Sequence, residues 1–111
     1  MLRYLNPPSD INPTRARVRK KRCYELTWKF VLGNPTWDLV HAVIFVPPMG
    51  VPIPHAFAMR EERIYDSVDN KFYKKMEYLD HFSVQNVRCY SSLEAARCCA
   101  STKSYGPWEL G

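Results

Sequence analysis

Hydrophobic and polar positions alternate most regularly in the middle of the chain, and this alternation predicts an antiparallel sheet. The predicted strands are Asp38–Val46, residues 51–59, Arg63–Asp66 and Val84–Tyr90. One side of the second strand carries Val51, Ile53, His55, Phe57 and Met59. A turn at Pro47-Pro48-Met49-Gly50 separates the first two strands, and Glu61-Glu62 marks the next tip.

Three segments have helical spacing. The first runs from about Arg22 to Leu32 and is stopped by Gly33-Asn34-Pro35. Its apolar face is either Tyr24, Trp28 and Val31 or Thr27, Phe30 and Val31. The second is a short helix over Lys74–His81, with Met76 and Leu79 pointing inward, and the third runs from Leu93 to about Thr102 behind the capping box Ser91-Ser92-Leu93-Glu94.

These elements predict an α+β fold. An N-terminal helix that carries Cys23 packs on a three- to four-stranded antiparallel sheet, and a second firm helix returns at the C-terminal end. Residues 1–14 hold three of the nine prolines and are predicted to be an extended arm, which leaves residues 15–111 as a single domain.

Composition fits a folded soluble domain, with 46% hydrophobic and 24% charged residues. The longest apolar run, Leu39–Met49, is too short to span a membrane, and residues 1–8 lack the apolar stretch of a signal peptide. We therefore expect a cytoplasmic protein with no membrane partner, whose four cysteines are reduced.

The net charge of +5 is concentrated in one segment. Six of the eight residues from 15 to 22 are cations: Arg15, Arg17, Arg19, Lys20, Lys21 and Arg22. Such a run is typical of a site for an acidic protein or a nucleic acid, and equally of a solvated flank. Cations just before Cys23 also favour its thiolate, provided that their side chains face the sulfur.

Three residues far apart in the sequence have the chemistry of a nucleophile system. Cys23 opens the first helix, His55 lies in the second strand, and Asp66 ends the third. A thiol at a helix N-terminus, an imidazole and an orienting carboxylate are the parts of a cysteine nucleophile. Their order and context predict a catalytic triad.

The residues around this triad resemble those of the papain-like and transglutaminase-like cysteine enzymes. In that superfamily a Cys on a helix precedes a His-Ala-aromatic strand, here Val51–Ala58, and an acidic residue ends the next strand, here Ile64-Tyr65-Asp66. Over Arg22–Trp108 the chain also resembles small phage and bacterial proteins that share the pattern Arg-Cys-Tyr-Glu-Leu, Leu-Val-His, His-Ala, Tyr-Asp, Tyr-Ser, Glu-Ala and Tyr-Gly-Pro-Trp. A phage origin would place the protein in the host cytoplasm.

The resemblance implies a thiol-dependent hydrolase or acyltransferase that acts on an amide in a peptide or protein substrate. It makes Cys23 the nucleophile, His55 the base and Asp66 the group that orients the imidazole, with a thioester intermediate. The backbone N–H of Cys23 would be one oxyanion donor, and Asn6, Asn12 and Trp28 are candidates for the second. Phe57 and Ser67 stand where such enzymes more often have Trp and Pro, and the Gln often found upstream of the Cys is missing.

Other interpretations stay open. Each triad member has a structural alternative: a small buried thiol, a core histidine, or a carboxylate that caps a turn. His41 competes for the role of base and is predicted to be structural. The group Cys89, Cys98, Cys99 and His81 lacks the spacing of a zinc site, so no metal or other cofactor is predicted. The second function class is a phage-type binding protein or inhibitor that engages a host protein or nucleic acid through Arg15–Arg22.

Overall fold

A computed structural model describes residues 2–108 as six strands and three helices. The strands are β1 (Tyr4–Leu5), β2 (Asp38–Val46), β3 (Val51–Arg60), β4 (Arg63–Asp66), β5 (Lys71–Lys74) and β6 (Gln85–Tyr90). The helices are α1 (Cys23–Gly33), α2 (Lys75–His81) and α3 (Ser92–Thr102). The predicted arm and domain also include Met1 and residues 109–111, which lie outside the described residues.

The strands form one antiparallel sheet in the order β1-β5-β4-β3-β2-β6. The α+β class is confirmed, whereas the predicted count of three to four strands is wrong. The two additional strands are short. β1 has two residues and lies within the predicted arm, and β5 has four residues and runs directly into α2. Segments of this length contain too few alternations to be told from a loop.

Side chains on the two faces of the sheet form two separate cores. Ala56 and Ala58 of β3 pack on the side of α1, with Phe30 and Trp37 among the buried neighbours. Phe57 packs on the other side, in a cluster that includes Tyr78 of α2. Because side chains alternate along a strand, His55 and Ile53 share the α2 face with Phe57.

The helices present specific residues to these cores. Leu26, Thr27, Phe30 and Val31 are the buried residues of α1, which corresponds to the second of the two predicted faces. In α2 the expected orientation is wrong for one residue: Met76 is 67% exposed, and Tyr78 is fully buried instead. In α3, Ser91 and Glu94 form the predicted capping box. No helix in residues 2–108 has both the length and the apolar character needed to cross a membrane.

Candidate active site

His55 and Asp66 are in direct contact at the end of the sheet. His55 Nε2 lies 3.0 Å from Asp66 Oδ2, and both side chains are buried. The contact exists because β4 stops at Asp66 while β3 continues past it toward the β2–β3 turn. The two residues that the sequence placed on successive strands therefore meet where the shorter strand ends.

The Asp66 carboxylate is held by three donors. Its Oδ2 accepts a hydrogen bond from the Tyr78 hydroxyl at 2.6 Å besides the contact with His55, and its Oδ1 accepts one from the backbone N–H of Val68 at 2.9 Å. Burial by itself raises the pKa of Asp66, but the hydrogen bond and positive charge of His55, with those two further bonds, hold it below its usual value. The carboxylate thus caps a turn with one oxygen and orients the imidazole with the other.

Cys23 lies on the α1 side of the sheet, whereas the His55 side chain projects to the α2 side. Cys23 is the first residue of α1, which packs against the face of Ala56, and it lines the same cavity as His55 and Asp66. Three polar contacts fix this end of the helix. The Thr27 hydroxyl lies 2.8 Å from the Ser67 hydroxyl and donates to the Ala56 carbonyl at 3.4 Å, and Ser67 donates to the Cys23 carbonyl at 3.5 Å.

The thiol and the carboxylate act together on the imidazole. Burial by itself lowers the pKa of His55, but the hydrogen bonds and negative charges of Asp66 and Cys23 raise it to about 10. Only the contact with Asp66 meets the geometric criteria of a hydrogen bond. The Cys23 thiol is therefore a close neighbour of the His55 ring without a formed hydrogen bond. Since Nε2 faces Asp66, Nδ1 is the ring nitrogen left for the sulfur.

The N-terminus of α1 has no side-chain cap, because the residue at the cap position is Arg22, whose guanidinium has no hydrogen-bond acceptor. The first backbone N–H groups of a helix have no partner within it, so those of Cys23 and its successors are available to an anion. Two candidates for the second oxyanion donor lie elsewhere. Asn12 bonds to Asn34 at the other end of α1, and the Trp28 indole donates to the Ala95 carbonyl.

His41 lies on the α1 face of the sheet, away from the Asp66 carboxylate. Its ring packs against three aromatic rings, those of Tyr24, Tyr90 and Trp108, with centroid separations of 4.8 to 5.0 Å. Neither ring nitrogen has a hydrogen-bond partner among the described residues. Burial lowers the pKa of His41 to about 4, so this histidine is neutral at pH 7 and fits the predicted structural role.

The basic segment is partly engaged inside the molecule. The Arg19 guanidinium donates to the carbonyls of Thr14 and Ser67 and to the Tyr65 hydroxyl. Arg22 bonds to the Glu25 carboxylate at 2.9 Å. Lys21 lines the cavity beside Cys23, and Arg15, Arg17 and Lys20 are exposed. Arg19 and Arg22 therefore fix the segment before α1 through contacts within the molecule, whereas the side chains of the exposed cations are accessible to solvent.

The other cysteines and histidines do not assemble into a second centre. Within residues 2–108, no three His, Cys, Asp or Glu side chains lie close enough together to hold a metal ion. All four cysteines are free thiols. Cys89 is exposed on β6, whereas Cys98 and Cys99 are half-buried on α3 and contact the α1-side core.

A cavity of about 670 Å³ opens onto the three predicted residues, which is within the size range of small-molecule and peptide sites. Its wall is mostly apolar. The lining includes Cys23, Tyr24, Ile44, Ile53, Pro54, His55, Asp66, Val68, Phe82 and Pro107, with Lys21 and Asp69 as the further charged members. A thiol, an imidazole and a carboxylate therefore share one largely apolar cavity.

The positioning roles of three residues are not evident from the sequence. Tyr78 bonds to Asp66, and Thr27 and Ser67 bind α1 to the end of the sheet. Thr27 was visible as a polar residue on an otherwise apolar helix face, and Ser67 as the residue after Asp66. Neither pattern identifies a partner, because both contacts join different elements, with Asp66 and Tyr78 12 positions apart and Thr27 and Ser67 40 positions apart.

Comparison of the chain with protein-family models, with curated proteins and with solved structures gives no match. The resemblance to cysteine enzymes therefore stays a prediction.

Proposed function

We propose that this protein is a thiol-dependent hydrolase or acyltransferase of the papain-like or transglutaminase-like type, acting on an amide in a peptide or protein. The observation that carries the proposal is the buried His55–Asp66 pair in one cavity with a cysteine that begins a helix. A buried carboxylate and a neighbouring thiol favour a protonated His55, and an imidazolium beside a sulfur favours the reactive thiolate.

The proposed reaction begins with attack of the Cys23 thiolate on the amide carbonyl carbon. The oxyanion that forms is stabilised by the backbone N–H of Cys23 and by the N-terminus of α1. His55 gives its proton to the amide nitrogen as the C–N bond breaks, which leaves a thioester and a free amine. Neutral His55 then takes a proton from water or from a second amine, and that nucleophile displaces the Cys23 sulfur.

Asp66 supports both halves of this cycle without reacting. Its contact with Nε2 keeps Nδ1 toward the sulfur, and its charge stabilises the imidazolium. Tyr78 and the Val68 N–H hold the carboxylate in place. The imidazole therefore keeps its orientation when it gains and loses a proton, as a general acid and base requires.

Alkylation with iodoacetamide at pH 6, followed by mapping of the adducts, tests the proposal. Cys89 is the most exposed cysteine, and burial raises the pKa of its thiol. If exposure alone governs reactivity, Cys89 is labelled first. If Cys23 is an activated nucleophile, it is labelled first although it is half-buried. His55→Ala should then slow this labelling by about 10² or more, because the base that activates the thiol is removed.

His41→Leu is the matched control, because it removes the other buried histidine of the same sheet. We expect this variant to keep the selective labelling of Cys23. Uniform labelling of the four cysteines, or equal effects of the two histidine substitutions, would overturn the proposal. Release of amine from a peptide amide, lost in Cys23→Ser, then establishes turnover.

A further inference from the structure

The strand that carries His55 has a free edge beside the candidate nucleophile. β4 pairs with β3 only over Ala58–Arg60, so β3 between residues 51 and 57 has no strand on that side among the described residues. The Ala56 carbonyl is used by Thr27. Residues 51–54 of this edge are exposed to solvent.

The register shows which backbone groups this edge presents. The Phe45 N–H points away from β3, to the Phe82 carbonyl, and Phe45 pairs with Pro52. Phe45 and Pro52 are thus a non-hydrogen-bonded pair, whose backbone groups point outward on both sides. The same holds two residues along for Pro54, so the Pro52 and Pro54 carbonyls face the free edge.

Both outward positions are prolines, which have no N–H. The edge therefore offers acceptors and no donors over residues 52–54, and no described residue donates to either carbonyl. The two oxygens are two residues apart, about 6.8 Å along a strand. This is also the spacing of alternate N–H groups on one side of an extended peptide.

The cavity surrounds this edge. Ile53 and His55 project to the α2 face and Pro54 to the α1 face, yet all three line it. On the α2 face, Ile53 lies with Ile44 and Phe82 to form an apolar pocket two residues from His55. An edge with hydrogen-bond acceptors, an apolar pocket and a nucleophile thus form one continuous surface.

We propose that an extended polypeptide lies along this edge of β3, with two alternate amide N–H groups donating to the Pro52 and Pro54 carbonyls and an apolar side chain in the Ile44–Ile53–Phe82 pocket. This inference rests on the proposed function, since it names the substrate class of the same site. It makes the substrate a peptide with a large aliphatic or aromatic side chain beside the reacting amide. A folded helix is excluded, because its N–H groups are already used.

NMR titration of the Cys23→Ser variant tests the inference without turnover. The probes are acetylated alanine pentapeptide amides in which one leucine is moved along the sequence, followed by N-methylation of each amide of the best binder. We expect shifts confined to residues 51–56 and the cavity. Methylation of two alternate amides should weaken binding by about tenfold each, and methylation of the amide between them should have little effect.

A pair of variants distinguishes an effect on the pocket from the effect of any charge placed on this strand. Ile53→Glu places a charge in the pocket and should abolish the preference for leucine. Val51→Glu makes the same change on the same face of the strand, outside the cavity lining, and should retain the preference. Equal effects of the two substitutions, or binding without alternation, would overturn the inference, since prolines that merely block strand pairing predict no peptide preference.

The reactivity of Cys23 is measured apart from this binding, with iodoacetamide on the unsubstituted protein. Peptide binding that is weakened by methylation of alternate amides, together with an inert Cys23, would support the inference and reject catalysis. A reactive Cys23 in a protein that shows no alternating binding would keep the proposed function and reject the inference.

Discussion

Two buried histidines lie on neighbouring strands of this sheet, and their surroundings give them opposite chemistry. His41 pairs in register with Ala56, the residue next to His55, so the two imidazoles are close in the sheet and point to opposite faces. The His41 ring packs against aromatic rings and has no hydrogen-bond partner among the described residues, and burial lowers its pKa to about 4. His55 meets a carboxylate and a thiol, and its pKa rises to about 10.

The comparison teaches that burial does not decide the charge of a histidine. Both residues are less than 10% exposed, with His41 at 5% and His55 at 7%. A partner with negative charge reverses the effect of burial, because its attraction to the imidazolium exceeds the lost hydration. A site for proton transfer therefore depends on the Asp66 carboxylate as much as on the histidine itself.

The largest expected effect comes from removing that partner. In Asp66→Asn, His55 stays buried and loses the carboxylate that opposes the effect of burial, so its pKa should fall. Alkylation of Cys23 at pH 6 should slow by about 10² or more, because the imidazolium that favours the thiolate is lost. NMR titration of the two imidazoles checks the first point, with Asp69→Asn, another carboxylate of the cavity lining, as control. An unchanged His55 titration would contradict the comparison.

The close packing around His41 gives the next largest effect. A Cβ on Gly106 would lie 2.5 Å from His41 Cε1, and Gly106 has a φ of +112°. Gly106→Ala should therefore lower the free energy of unfolding by about 1–3 kcal/mol. Gly50→Ala is a matched control, since Gly50 also has a positive φ, +67°, but no atom near its Cβ position. Equal losses in denaturant unfolding would show that the contact with His41 costs nothing.

A smaller effect is expected where α1 is attached to the sheet near His55. Thr27→Val removes the hydroxyl that contacts Ser67 and Ala56. It should lower the free energy of unfolding by about 1–2 kcal/mol, because the buried Ser67 hydroxyl loses its contact with Thr27. It should also slow the alkylation of Cys23, since the helix start is no longer fixed. Thr102→Val removes an exposed helical hydroxyl and should leave both measurements nearly unchanged. A normal rate in Thr27→Val would assign Thr27 to stability alone.

The smallest effect at pH 7 is expected from His41→Leu, and the pH dependence of stability separates the two histidines, because their contributions have opposite signs. His41 has a lowered pKa, so its contribution to folding is present above about pH 6.5 and is lost as the pH falls toward about 4. His55 has a raised pKa, so its contribution is present below about pH 6.5 and is lost as the pH rises through about 10. His41→Leu should flatten only the acid limb of the unfolding free energy and change stability at pH 7 by about 1 kcal/mol or less. Loss of the alkaline limb in this variant would show that the two assignments are exchanged.

The sequence predicted the long elements better than the short ones. β2 and β4 have the predicted bounds, and β3 ends one residue later than expected. These strands have strong alternation or clear turns at both ends. β1 and β5 were missed because pairing between Tyr4 and Tyr73 joins two segments that have too few residues to show a period. In α2, the prediction that Met76 points inward is wrong, since a seven-residue helix has little periodicity to set its face.

For the candidate site, the sequence by itself determined the chemical types and their order: a cysteine at the start of a helical pattern, a histidine in a strand, and an aspartate at the end of the next. Only the tertiary structure decided that His55 has a carboxylate partner and His41 has none, that Tyr78 holds that partner, and that prolines 52 and 54 leave an edge of acceptors beside Cys23. The physical reason is that these properties depend on distances between elements. Local residue preferences specify which segments form strands and helices, but the register of β3 and the early end of β4 set which side chains meet.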